Sequence, residues 1–144
     1  MRNRLMWSAA IAAMTVTSLV ALGSSDAPQA TPTGWILGDD ADTKKNPLTA
    51  DDATLATGKA IFKDKCQRCH GPGGLGDGPD AEPDATEMDL TNPKRAGRNP
   101  DGVVFYKILN GRRRPYKMPP FKDELTEQQI WNVVTYVQTL RKRP

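Results

Sequence analysis

The chain has two cysteines and a single histidine, and all three fall in one five-residue run, Cys66-Gln-Arg-Cys69-His70. No other feature constrains the fold as strongly. Two cysteines separated by two residues close a very small loop, so a disulfide between them would restrict little of the unfolded chain. The chain nevertheless needs a staple. It has 144 residues, of which 38% are hydrophobic, a thin core for one small domain. Domains of that kind often rely on a disulfide, a metal or a cofactor. The cluster therefore points to a bound group.

Three chemistries fit a Cys-x-x-Cys-His run. A structural zinc site takes four ligands. Cys66, Cys69 and His70 supply at most three, and the sequence has no further Cys or His. A thioredoxin-like dithiol expects a βαβ setting, and no strand pattern is visible. Covalent haem attachment is the third. If a helix runs through the motif, Cys66 and Cys69 lie one turn apart on one side, placed for thioethers to the two vinyl groups of one haem edge. His70 is then left to face the iron. A buried haem would also supply the missing core.

Three helices are expected around this motif. The first covers about 52–65, with Leu55, Gly58 and Phe62 on one face and Ile61 beside it. The second covers about 100–110, with Asn99 as N-cap, Pro100 at the first helical position and Gly111 just past the end. Val104, Phe105, Ile108 and Leu109 give it an apolar side. The third covers about 127–141. Thr126 and Gln129 form a capping box, Ile130, Val133, Val134, Val137 and Leu140 form the stripe, and Arg141, Lys142 and Arg143 suit the negative C-terminal end. The segment GPGGLGDGPDAEPDATEMDLTNPKRAGRN between the first two holds too much Gly and Pro for regular structure. A loop of that length in a compact domain is functional or disordered, and a bulky bound group for it to wrap would account for it.

An iron held by His70 has a sixth position. Beyond the N-terminal segment the methionines are Met88 and Met118. Met88 lies inside the wrapping loop, where core filling is the ordinary role of a methionine. Met118 lies between Pro115 and the Pro119–Pro120 pair, and proline stiffens a segment by fixing φ. A stiff loop suits a weak thioether ligand, so Met118 is the expected distal ligand.

The runs GKAIFKDKCQRCHGPGGLGDGP, MDLTNP, KMPPF and LTEQQIWNVVTYVQTL, in that order, resemble a bacterial single-haem class I c-type cytochrome over about residues 51–141. The resemblance implies an all-α fold of three main helices and a long loop wrapped around one covalently bound haem c. It implies thioethers at Cys66 and Cys69, a proximal ligand at His70 and a distal ligand at Met118. It also implies that the first and last helices cross near Gly58, against one of Phe62, Trp131 or Tyr136. A loop carbonyl, with Pro79 the candidate, would fix the proximal imidazole, and Arg98 and Tyr116 are candidates for the haem propionates.

With His and Met filling both axial positions, no substrate reaches the iron. The expected function is electron transfer in a bacterial respiratory or dehydrogenase chain, with no catalytic residues. The alternative is a haem enzyme or gas sensor, peroxidase-like, with a labile sixth ligand. Residues 24–93 hold 6 basic and 13 acidic side chains, whereas 94–144 hold 12 basic and 4 acidic ones. Arg112, Arg113, Arg114, Lys117 and Lys122 flank Met118, so the expected partner is a redox protein with an acidic docking face, or a larger dehydrogenase or oxidase complex, and not nucleic acid.

The N-terminus has the form of an export signal. Arg2 and Arg4 precede an apolar stretch, Leu5 to Leu22, and Ala21 and Gly23 fit a cleavage site. A retained anchor is the other reading, since a span needs roughly 17–25 residues, although Ser8, Thr15, Thr17 and Ser18 interrupt the stretch. Both place the rest outside the cytoplasm, in the periplasm, free or held to the inner membrane by residues 5–22. The expected organisation is a leader at 1–23, an extended arm at 24–50 and a haem domain at 51–144. Trp35, Ile36 and Leu37 form an apolar island in the arm, either packed on the domain surface or docking a partner subunit.

Overall fold

A computed structural model gives the architecture for residues 34–83, 86–113 and 117–141. The expected leader, residues 1–23, lies outside the described residues, as do Arg114, Pro115, Tyr116, Lys142 and Arg143. Five α-helices appear among the described residues: α1 (Asp52–Lys65), α2 (Gln67–His70), α3 (Pro93–Ala96), α4 (Asp101–Asn110) and α5 (Glu127–Leu140). The three long ones, α1, α4 and α5, give an all-α fold, and β-pairing among the described residues is limited to isolated bridges.

Local sequence chemistry sets the helix ends. Asp51 caps α1 through its carboxylate, which accepts the Thr54 N–H at 2.8 Å, and Lys63 and Lys65 occupy the last turn. In α5 the Thr126 hydroxyl accepts from the Gln129 N–H while the Gln129 side chain accepts from the Thr126 N–H, a reciprocal box. The start of α4 differs from expectation by one position. Pro100 is itself the cap, with extended ψ of 171°, and the Asn99 side chain instead donates to the Arg95 carbonyl at 2.8 Å. Gly111 ends that helix at φ 63°, a conformation that favours glycine.

The α1–α5 crossing is centred on Gly58. A Cβ there would lie 2.1 Å from the Asn132 carbonyl oxygen and 2.9 Å from Tyr136 Cβ, so only glycine allows the approach. Phe62 and Tyr136 meet at this crossing with ring centroids 5.3 Å apart. Trp131, the other candidate, turns away and stacks on Phe105 at 4.2 Å. Phe62, Phe105, Ile130, Val133 and Val134 are the largest fully buried side chains and tie α1, α4 and α5 into one core. Truncating an aromatic such as Phe62 to Ala in such a core costs about 3–5 kcal/mol.

The second half of the arm is laid along this core. Asn46 donates to Thr135 Oγ1 at 2.8 Å, Tyr106 donates to Asp40 at 2.6 Å, and Asn110 donates to the Ile36 carbonyl at 2.8 Å. Of the apolar island, Trp35 and Leu37 are half-buried and Ile36 is exposed.

Candidate functional site

The motif is built as a near-continuation of α1. Cys66 ends the helix, its N–H reaching the Phe62 carbonyl at 2.9 Å, with φ −114° distorting the turn. The single turn of α2 follows, closed by the His70 N–H to the Cys66 carbonyl at 3.0 Å. Gly71, at φ 75°, then sends the chain into the long loop. A Cβ at Gly71 would lie 1.8 Å from the Asp77 carboxylate, so both backbone angle and space select glycine here.

The loop folds back behind the imidazole. The His70 Nδ1 lies 2.8 Å from the Met88 carbonyl oxygen. Nδ1–H donating to that carbonyl leaves Nε2 with its lone pair, the form a metal-ligating histidine takes. Burial also lowers the imidazole pKa, which keeps the ring neutral. The carbonyl is that of Met88 and not of Pro79. Pro79 is exposed, and its stretch of loop is held instead by the Asp80 N–H bonded to the Arg68 carbonyl at 2.8 Å. The Met88 thioether is turned into the loop, where Sδ accepts the Glu82 N–H at 3.4 Å.

A cleft opens in front of this wall, in two lobes of about 110 and 230 Å³. Cys66, His70, Met118, Trp35 and Glu87 border both lobes. Phe62, Val104, Ile108, Val133 and Val137 line the first, and Cys69 borders the second. The structure thus brings together the sequence-selected Cys66, Cys69, His70 and Met118. Met118 arrives from the segment after α4, where Met118 and Arg112 exchange two backbone hydrogen bonds of 2.8 Å each. Gly111 makes the fit possible: a Cβ there would lie 2.4 Å from the Met118 carbonyl oxygen.

The surroundings discriminate among the three chemistries. A redox dithiol needs a lowered thiol pKa. Here burial pushes the Cys66 thiol up to about 12, with the neighbouring Cys69 adding to it, and burial raises Cys69 as well. Among the described residues no group of three or more His, Cys, Asp or Glu is arranged to hold a metal ion. An apolar cleft walled by two cysteines, one neutral imidazole and two methionines, Met88 and Met118, fits haem c.

Several cleft residues escaped the sequence reading. Arg95, Lys107 and Arg141 line the first lobe. Burial, together with repulsion from Arg112, Arg95 and Arg141, pushes the Lys107 ammonium down to about 8. Burial also lowers the Arg141 pKa. Lys107 lies three residues after Val104, on the apolar side of α4, and that register was its only signal. Arg98 is exposed and borders neither lobe, and Tyr116 is outside the described residues. Arg112 is not a rim charge. It is only 6% exposed, its guanidinium 4.5 Å from the Trp35 ring centre and 3.9 Å from the Glu87 carboxylate. Among the described residues of that segment, Arg113, Lys117 and Lys122 are exposed cations.

Comparison with known proteins accords with this geometry. The family model described as cytochrome C oxidase, cbb3-type, subunit III matches residues 53–137. Cytochrome c6 of Parathermosynechococcus lividus is 30% identical over 89 residues, covering 59% of this chain and 88% of its own. Cytochrome c6 of a Synechocystis species is 33% identical, covering 62% and 68%. Among solved structures, a chain of the Kuenenia stuttgartiensis reducing HAO-like protein complex superposes with TM-score 0.58 at 31% identity, covering 67% of this chain and 47% of that one. Cytochrome cL of Methylophaga aminisulfidivorans superposes with TM-score 0.52 at 26% identity, covering 71% and 63%. Among the described residues no helix is long and apolar enough to cross a membrane. With the family model spanning more than half of the chain, and the helices and cleft arranged as they are, the protein belongs to the class I c-type cytochromes, the haem-carrying electron-transfer family.

Proposed function

We propose that the chain carries one electron at a time in a bacterial respiratory or dehydrogenase chain outside the cytoplasm, on a haem c tethered by Cys66 and Cys69 and ligated by His70 and Met118. The observation that carries this reading is the His70 Nδ1 contact with the Met88 carbonyl. It fixes the imidazole with Nε2 free to ligate. The Met88 backbone lies behind the histidine and its thioether accepts from the Glu82 N–H, which supports Met118, from another segment of the cleft wall, as the distal ligand.

When bound, the haem supplies a one-electron iron couple, and a His/Met pair sets that couple higher than harder ligands do. The protein contributes the rest. With His70 and Met118 both holding the iron, no position would remain open to a substrate, which favours electron transfer over peroxidase or gas-sensor chemistry. Phe62, Val104, Ile108, Val133 and Val137 exclude water from the first lobe. Arg95, Lys107 and Arg141 give the first lobe positive charge that would pair with the carboxylates of a haem. Arg113, Lys117 and Lys122 remain exposed for an acidic partner. The relative from Kuenenia belongs to a protein complex, which supports a partner-bound role.

The absorption spectrum of the purified protein tests the reading. A six-coordinate low-spin spectrum with a weak far-red sulfur-to-iron band is expected, unchanged under carbon monoxide in the oxidised state and slow to change in the reduced state. A five-coordinate high-spin spectrum that shifts at once with carbon monoxide would establish the labile-site alternative.

A further inference from the structure

The family match begins at residue 53, yet Trp35, eighteen residues earlier, borders both lobes of the cleft. Trp35 forms an antiparallel bridge with Arg112, and Arg112 forms a second one with Met118. The three residues thus make a ladder from the arm to the thioether. The Trp35 ring lies under two cations, the Arg112 guanidinium at 4.5 Å and the Lys107 ammonium at 4.8 Å from its centre. Such contacts are stronger when desolvated, and Trp is the best ring for them. Arg112 also faces Glu87 at 3.9 Å, next to the Met88 carbonyl that fixes His70.

The arm is also anchored to α4 beside and beyond this ladder. The Ile36 carbonyl accepts from Asn110, and Asp40 accepts from Tyr106. Gly102 of α4 lies so close that a Cβ there would be 2.4 Å from the Ala41 carbonyl oxygen. A thioether is a weak ligand, so its residence on the metal depends on how firmly its backbone is held. The Met118 backbone is held through Arg112, and the Arg112 side chain is held against Trp35.

We propose that the arm is a brace for the sixth ligand, with Trp35 a positioning residue that acts on Met118 through Arg112. This rests on the reading of Met118 as the distal ligand.

The rate at which added imidazole displaces the native sixth ligand, followed by loss of the far-red band in the oxidised holoprotein, reports how often Met118 leaves. Trp35→Ala should raise that rate about tenfold, a factor that corresponds to about 1.4 kcal/mol, with haem still covalently bound. Trp35→Phe should restore most of the difference, because a ring face remains for Arg112. Gly102→Ala alters no cleft residue but pushes the arm off α4, and it should accelerate exchange in the same direction. Exchange at the wild-type rate in both Trp35→Ala and Gly102→Ala would overturn the brace. Persistence of the far-red band in Met118→Ala would instead overturn the ligand reading beneath it.

Discussion

The two walls of the cleft are held by different means. The wall behind His70 is tied by many short backbone bonds. The His70 carbonyl accepts from Gly76 at 2.8 Å, the Gly74 carbonyl from Leu90 at 2.7 Å, the Arg68 carbonyl from Asp80 at 2.8 Å, and the His70 ring rests on the Met88 carbonyl. Among the described residues, the wall that carries Met118 is tied by the exchanged pair with Arg112, the Phe121 N–H to the Ile108 carbonyl at 3.0 Å, the Lys122 N–H to the Leu109 carbonyl at 3.2 Å, and the stiffness of Pro119 and Pro120. The first wall carries the proposed covalent attachment at Cys66 and Cys69. The second carries the proposed weak ligand, Met118, and leans on the arm through Arg112 and Trp35. Loss of one contact should therefore be absorbed on the His70 side and felt on the Met118 side.

The strongest way to break the comparison is to remove the attachment itself. Replacing both Cys66 and Cys69 with Ala should eliminate covalent haem and, with it, the cooperative thermal transition, because the bound group serves as core for the cleft walls. A well-folded, cooperative haem-free protein would show that the first wall stands without its cofactor. Next in size, Met118→Ala should keep haem bound through the thioethers and His70 while the reduction potential falls by on the order of 100 mV, as expected when a thioether is lost from a range that axial ligands tune over ≈ 0.8 V. Potentiometric titration checks this, and an unchanged potential would mean that the thioether was never on the iron.

A smaller effect separates the charges inside the cleft from those outside. Lys107 is a half-buried cation whose pKa is already lowered to about 8. Reduction removes one positive charge from the cleft, so the reduced state holds the Lys107 proton more tightly. The potential should then fall as pH rises through the Lys107 titration, and Lys107→Met should flatten that dependence. Each unit of pKa difference between the redox states corresponds to about 59 mV. An identical pH profile in the variant would place Lys107 outside the field of the iron. The smallest effect is kinetic. Charge reversal at the exposed Arg113 and Lys117 should slow electron transfer to the natural partner at low ionic strength and leave the potential nearly fixed. With a Debye length of about 10 Å at 0.1 M salt and about 3 Å at 1 M, the defect should shrink as salt rises. Equal stopped-flow rates at low salt would remove the steering role.

What the sequence revealed follows the same division. The ends of α1 and α5 were legible because caps act between residues three apart, as in Thr126 and Gln129. The four residues that the cleft gathers, Cys66, Cys69, His70 and Met118, could be selected because thiol and imidazole side chains are rare in this chain and Met88 and Met118 are its methionines beyond the N-terminal segment. The partner of His70 was not, since a backbone carbonyl carries no side-chain signature and Met88 differs in nothing from Pro79 in that respect. Arg112 looked like its neighbour Arg113, and only long-range packing against Trp35 separates a buried cation from an exposed one. The docking of the arm was hidden for the same reason, because Asn46 finds its partner Thr135 across 89 positions of sequence. The 3₁₀ turn Thr86–Met88 and the short α3, capped by Asn92 with Pro93 at its start, were absorbed into an apparently structureless loop.

The central claim is that the loop methionine on the weakly tied wall, and not the one behind the histidine, completes the iron site. The far-red sulfur-to-iron band of oxidised Met118→Leu and Met88→Leu proteins tests it most directly, because Leu keeps the apolar volume and removes only the sulfur. The band should vanish in Met118→Leu and persist in Met88→Leu. A band that survives in Met118→Leu and disappears in Met88→Leu would contradict the account.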